Sequence, residues 1–254
     1  MSKIQILRLR QNSGLLTELQ SDTIWGHFCW RLKEKHGEES LKNFLKDYED
    51  GNPVFTVSSS FFEKKDSIYI SYPLNGNQHE DIGNVSKREK IEAFLKHKKM
   101  KSRKFLNSTD FNSYLQTGSW QQNESEELEE PSYLDSLRTS VEISRETLSS
   151  KKSQLFSYSG RYVNEEFLKD TLEFTCTNTI VFVKILNEEK FAEMKGADLI
   201  EDTFDIGFGK KKSSGFGAFK ILEPLRDFTD FKEPETSNGF ITLGNYLPSE
   251  NDGV

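Results

Sequence analysis

The stretch Asp205-Ile-Gly-Phe-Gly-Lys-Lys-Lys-Ser-Ser-Gly-Phe-Gly217 concentrates residue types that can hold a phosphate. Glycine lets the backbone reach positive φ and lets a second backbone approach closely. Successive N–H groups in such a turn form a concave nest for an anion. Lys210, Lys211 and Lys212 add positive charge, and Ser213 and Ser214 add short hydroxyl donors. The stretch is not a P-loop, because no glycine lies five residues before Gly209. Nor is it a dinucleotide fingerprint, because Lys212 stands where the third glycine of G-x-G-x-x-G belongs. It suits the backbone of a single-stranded nucleic acid. It also reads as an exposed glycine hairpin whose lysines are merely solvated.

A second basic stretch runs from Lys96 to Lys104, where Lys98, Lys99, Lys101, Arg103 and Lys104 follow one another with no acid between them. It is a candidate RNA or partner contact, or the solvated end of a charged helix. Glu124, Glu126, Glu127, Glu129 and Glu130 form the opposite block. Trp25, Phe28 and Trp30 could stack on bases, but Trp25 and Phe28 share the helical spacing of core residues while Trp30 points elsewhere.

Catalytic patterns are poor. His27 and Cys29 lie two apart on an expected helix and face different ways, so they cannot form a ligand pair. His36 sits at a helix C-terminus, where the dipole favours an imidazolium without any catalytic role. His79 falls in a polar loop and His97 in the basic run. There is no G-x-S-x-G, no H-E-x-x-H and no kinase-type glycine loop. No catalytic residue, metal site, cofactor or small-molecule substrate is expected.

The elements that must position these residues form an α+β pattern. Lys3–Arg10 alternates at Ile4 and Ile6 and then changes phase at Leu7 and Leu9, as in a strand that is buried on both faces or bulged. Ser21-Asp22 should cap a helix with Ile24, Trp25, Phe28 and Leu32 on one face, stopped by Gly37. A second helix, with Leu41, Phe44, Leu45 and Tyr48, ends near Gly51 and Pro53. Strands are expected at Val54–Val57 and Ser67–Tyr72, and Ser86 to Glu89 reads as a capping box. Gly118–Pro131 has no periodicity and reads as a mobile loop. Strands follow at Val141/Ile143, Leu155–Val163, Leu172–Cys176 and Ile180–Leu186, then a helix over Glu188–Ile200, the glycine-rich turn, and a strand at Phe219–Leu222. A β-helix-β frame with intervening antiparallel strands indicates a ferredoxin-like unit rather than a parallel doubly wound sheet.

Composition permits this. At 254 residues the chain can bury about 70–75% of its extended surface. Its apolar content of 34% is low, but twenty Phe residues supply bulky core material. The net charge of −7 argues against a general nucleic-acid binder and leaves room for local basic strips. No run of about 18 apolar residues is present, and Cys29 and Cys176 cannot build a disulfide framework. A membrane span, a secreted disulfide scaffold and a repeat array are excluded, and a cytoplasmic globular protein is the expectation.

The glycine-rich stretch resembles the signature loop of the RAMP superfamily of CRISPR proteins, typically G-x-G-x-x-x-S-S-G-x-G. Further motifs resemble those of the fourth Csm subunit of type III-A effector complexes. These are Ser21-Asp-Thr-Ile-Trp-Gly26 followed by Phe28-Cys-Trp30, then Val57-Ser-Ser-Ser-Phe-Phe62, Tyr72-Pro-Leu74, the lysine-rich Lys98–Leu106, Thr139-Ser-Val-Glu-Ile-Ser-Arg145 and Leu155-Phe156. They occur in family order across residues 3–247. One departure stands out: family members usually continue into a second ferredoxin-like region near Phe240–Pro248, whereas this chain stops at Val254.

The resemblance implies a ferredoxin-like (RRM-like) RAMP fold over residues 1–236, with inserted helices and a loop or thumb segment around 107–140. Residues 237–254 would begin a truncated second region. It implies a non-catalytic subunit that holds the repeat-derived 5′ tag of the CRISPR RNA. Its partners would be the large polymerase-like Cas subunit and the third Csm, or backbone, subunit. The RNA-binding residues it implies are Gly207, Gly209, Lys210, Lys211, Lys212, Ser213, Ser214, Gly215, Phe216 and Gly217, with Ser21 and Arg145. Two alternatives remain: a metal-independent RNA-processing RAMP endonuclease using His27 or His36, and a protein-only scaffold.

Overall fold

The computed structural model describes residues 3–73, 87–88, 91, 94–95, 98, 104–117, 132–163, 166–168, 173–175, 177–232, 234–237 and 239–247. By internal contacts the chain divides into two compact units. The first comprises Met1–Asp66, Pro131–Thr229 and Thr242–Val254, and the second Ser67–Glu130 with Asp230–Ile241.

The first unit is built on an antiparallel sheet. Strand β1 (Lys3–Gln11) lies between β10 (Asn178–Ile185) and β11 (Phe219–Asp227), and β10 pairs in turn with β2 (Phe55–Val57) and β3 (Phe61–Lys64). The order β11-β1-β10-β3, with helices following β1 and β10, is that of a ferredoxin-like unit. Both readings of the β1 phase change hold. Ile6, Leu7 and Leu9 are all buried, and the register with β11 shifts on either side of Arg8.

Helix α1 (Ser21–Glu49) covers one face with Ile24, Phe28 and Leu32, which join Leu7, Leu9, Val181 and Val183 in the core. Gly37, at φ +87°, breaks its helical geometry where the sequence places a stop. At its N-terminus Asp22, one of the two expected caps, accepts from Thr23 N–H at 2.8 Å, whereas Ser21 does not cap the helix. The N-cap is Gln20, without a side-chain cap, and the Ser21 N–H is instead met by Ser59 Oγ at 3.2 Å. The helix expected over Glu188–Ile200 is two helices, α3 (Glu188–Glu193) and α4 (Gly196–Asp205), parted by Lys195 in a left-handed conformation. Leu199, Ile200 and Phe204 of α4 complete the helical layer. The other face of the sheet is also buried, by Ile6, Phe61, Phe182 and Phe228.

A long hairpin, β6 (Tyr133–Ile143) and β7 (Ser150–Val163), belongs to the same unit and is exposed along most of β6. It contains the strands expected at Val141/Ile143 and Leu155–Val163, and β6 begins at Tyr133, within the stretch expected as a loop or thumb. The strand expected at Leu172–Cys176 is the short β9 (Glu173–Thr175), paired with β8 (Glu166–Leu168). In the second unit, β4 (Ser67–Ser71) pairs with β5 (Phe105–Asn107), and α2 (Ser108–Thr117) follows. Asn112 and Gln116 of α2 donate to the carbonyls of Asp230 and Lys232. The Gly118–Pro131 loop, the Glu124–Glu130 block, His79 and His97 lie outside the described residues, as do Ser86 and Glu89 of the capping box.

Candidate nucleic-acid interface

The glycine-rich stretch connects α4 to β11 and closes on itself. Phe208 N–H donates to Gly217 O at 2.8 Å, and Gly217 N–H to Gly14 O at 3.0 Å. Gly217, at φ +67°, must be glycine, because a Cβ there would collide with the carbonyl of Phe208. Lys210 N–H donates to Thr17 Oγ1 at 3.0 Å, fastening the loop to the segment between β1 and α1. The N–H groups of Ser214, Gly215 and Phe216 turn inward to Lys211 and Lys212 carbonyls. Among the described residues the N–H groups of Gly209, Lys211, Lys212 and Ser213 are left for an anion, so the nest is smaller than the sequence suggests.

The side chains of Lys210, Lys211, Lys212, Ser213 and Ser214 all face solvent. No described ion pair ties these lysines to a carboxylate. Phe216 and Gly217, expected at the RNA, are buried instead. The Phe216 ring is 3% exposed and meets Tyr158 edge-on at 5.3 Å, with Arg138 over its other side at 5.2 Å. It pins the loop to the root of the β6–β7 hairpin. Lys211 completes the tie, its ammonium lying 3.7 Å from the Tyr158 ring centroid and 5.0 Å from that of Phe156.

The remaining expected contacts are scattered. Ser21 is buried, and its Oγ accepts from Asn245 N–H at 2.8 Å, so this oxygen already has a partner within the protein. Arg145 is exposed in the turn at the far end of the hairpin. With Tyr158 eight residues along β7 from Ser150, the turn is roughly 25 Å from the loop, too far to share a phosphate. Lys98 and Lys104 are exposed, while Lys99, Lys101 and Arg103 lie outside the described residues. Thr17, Arg138, Phe156 and Tyr158 were not among the expected site residues. Their link to the loop arises from contacts across long stretches of chain, which spacing alone does not reveal.

A cleft of about 480 Å³ adjoins the loop, walled by the Leu15–Gln20 segment, Ser59, Ser60, Tyr133 and Arg161. Its one cation is already held by two acids: Arg161 pairs with Glu18 at 2.6 Å and Asp135 at 3.4 Å. That balance disfavours phosphate, so the lysine face of the loop is the better anion surface.

His27 does reach the loop. Its ring lies 4.4 Å from that of Phe208, and its pKa is held below the ordinary imidazole value, first by burial and then by Lys212. His36 is exposed on α1. The Cys29 thiol is buried and pushed up to about 12 by desolvation, which leaves it unreactive. Among the described residues no group of three or more His, Cys, Asp or Glu could hold a metal ion. No helix among them is long and apolar enough to cross a membrane.

The ferredoxin-like sheet and the glycine-rich loop before its last strand define a class, and the sequence model of that class, the RAMP superfamily, matches residues 2–220. The chain belongs to the RAMP superfamily. Its fold is shared with solved structures. One is a chain in the Csm1–Csm4 cassette in complex with pppApA, with a TM-score of 0.59 at 14% identity, covering 98% of this chain and 78% of that one. Another is a chain of the Csm3–Csm4 subcomplex in the type III-A CRISPR-Cas interference complex, with a TM-score of 0.57 at 15% identity, covering 98% and 80%. Csm4 is the component that these two assemblies have in common. A search of curated proteins returns no match.

Proposed function

We propose that the chain is a non-catalytic subunit of a type III-A effector complex that holds the repeat-derived 5′ tag of CRISPR RNA on its glycine-rich loop. The observation that carries this reading is the solvent-facing Lys210–Ser214 segment, whose lysines pair with no carboxylate among the described residues, on a RAMP fold. A single-stranded RNA backbone is the polyanion such a loop suits, with bases left free to be held by side chains. Bridging is part of the proposal. The large polymerase-like subunit and the third Csm subunit are the partners, and the exposed Leu137, Val141, Ile143 and Leu155 of the hairpin offer an apolar surface for one of them. The resident compartment would be the cytoplasm.

The placement of His27 beside the loop favours a second reading, a metal-independent processing endoribonuclease with His27 as general base. One experiment separates the two. The chain is co-expressed with its neighbouring subunits and a CRISPR array, purified, and the co-eluting RNA is sequenced at its 5′ end. Tag holding predicts RNA with a uniform 5′ end, and precursor RNA that stays intact when incubated with the isolated chain. Cleavage lost on His27→Ala would establish the endonuclease, and an assembled complex without RNA would leave a protein-only scaffold.

A further inference from the structure

Phe156 and Tyr158 stand two residues apart on one face of β7, beside the lysine loop. Phe156 is 46% exposed and stands outside the core cluster. Across the ladder, Ser140 faces Phe156 and Arg138 faces Tyr158, so hydroxyl and guanidinium groups flank the two rings. Lys211 Nζ rests over both rings, at 3.7 and 5.0 Å from their centroids. An ammonium on a ring face occupies the place where a planar base would stack.

We propose that Phe156 and Tyr158 form a base-stacking platform for single-stranded RNA, occupied by Lys211 in the free protein and vacated when a base arrives. The proposal rests on the reading of the loop as an RNA-backbone contact. An exposed cation–π contact is weaker than a base–aromatic stack, and the displaced ammonium gains a phosphate, so the exchange runs downhill. Lys210 and Lys212, both exposed on the same loop, hold the flanking backbone while the rings take the base. Stacking on Phe and Tyr tolerates any base, so the platform fixes the path of the strand rather than its sequence.

The test uses the full chain and a single-stranded RNA dodecamer carrying 2-aminopurine at each position in turn. The wild type should quench the probe at one or two adjacent positions. Phe156→Leu should abolish that quenching and weaken binding by roughly 5- to 150-fold, with the salt slope unchanged. Lys211→Ala should retain the quenching and lower the magnitude of the slope by about 0.7. If Phe156→Leu binds RNA with wild-type affinity and quenching, the platform is overturned and the RNA reading of the loop stands. If the wild type binds no RNA, both fall. If Phe156→Leu keeps RNA but loses a co-expressed subunit, the rings belong to a protein contact and the platform is overturned.

Discussion

The ammonium of Lys211 and the ring of Tyr158, brought together from the glycine-rich loop and the β6–β7 hairpin, form a cation–π contact at 3.7 Å. The chain of contacts continues through Phe216 to Arg138, so two cations and three rings tie the loop to the hairpin root. A contact of this kind at a partly exposed site contributes about 0.5–1 kcal/mol. A double-mutant cycle with Lys211→Met and Tyr158→Leu, followed by urea unfolding, should show coupling of that size. Zero coupling would mean that the two elements are not joined by this pair in solution.

Among the described residues, neither a ring nor a carboxylate holds Lys210 or Lys212. If each meets one phosphate of a single-stranded RNA, replacing both with Ala should lower the magnitude of the log K against log salt slope by about 1.4. Thermal stability should hardly change, because exposed lysines add little packing. An unchanged slope would move the RNA backbone away from this loop, and the Lys98–Lys104 strip would be tested next.

His27 links the loop to the pH dependence of folding. Its folded-state pKa is lowered, first by burial and then by Lys212, while the unfolded chain protonates near the ordinary value of about 6.5. The unfolded state therefore binds more protons as pH falls, and the contribution of His27, full above about 6.5, is lost toward the folded pKa. Urea midpoints measured from pH 7.5 to 5 should fall more for the wild type than for His27→Gln. Parallel pH dependences would show that the imidazole is not desolvated.

What the sequence reveals and what it hides follow physical lines. The β1 phase change, the Gly37 break and the glycine-rich turn are local signals, and each appears where its residues stand. Strand β3 escaped notice because it carries Glu63 and Lys64, both buried. Glu63 tolerates burial because Arg8, far away in sequence, reaches it at 2.7 Å. Phe216 reads as an RNA-binding residue of the loop until Gly160 and Tyr158 are seen to pack against it. Ser21 reads as a cap or an RNA ligand until Asn245 is seen to take its hydroxyl. In each case the deciding partner is distant in sequence.

The Ser21–Asn245 contact makes a prediction that separates fold from function. A Cβ on Gly244 would lie only 2.7 Å from Ser21 Oγ, so the 242–247 segment approaches the start of α1 closely. Ser21→Ala removes the acceptor for Asn245 N–H and should cost about 1 kcal/mol by urea unfolding. RNA affinity and salt slope should stay at wild-type values. Full stability with weakened RNA binding would return this hydroxyl to the RNA surface that the resemblance implies.

Two glycines of the loop should respond differently to the same substitution, which separates the loop's architecture from its outer surface. Both have positive φ, +67° at Gly217 and +85° at Gly215, so each alanine pays a backbone cost of roughly 1 kcal/mol. Gly215 has nothing within 4 Å of its ideal Cβ, and the cost there should stop at that value. Gly217 has the Phe208 carbonyl in the way, and Phe208 is 1% exposed within the core, next to Phe204 at 5.7 Å. The loop cannot yield there without moving the core. Gly217→Ala should therefore destabilise the chain by several times as much as Gly215→Ala in urea unfolding. Gly215→Val, with a larger side chain on the exposed side, should leave a folded chain that binds RNA more weakly at an unchanged salt slope, since no charge is removed. Equal stability losses for the two alanine variants would show that the loop is not closed onto Phe208 in solution.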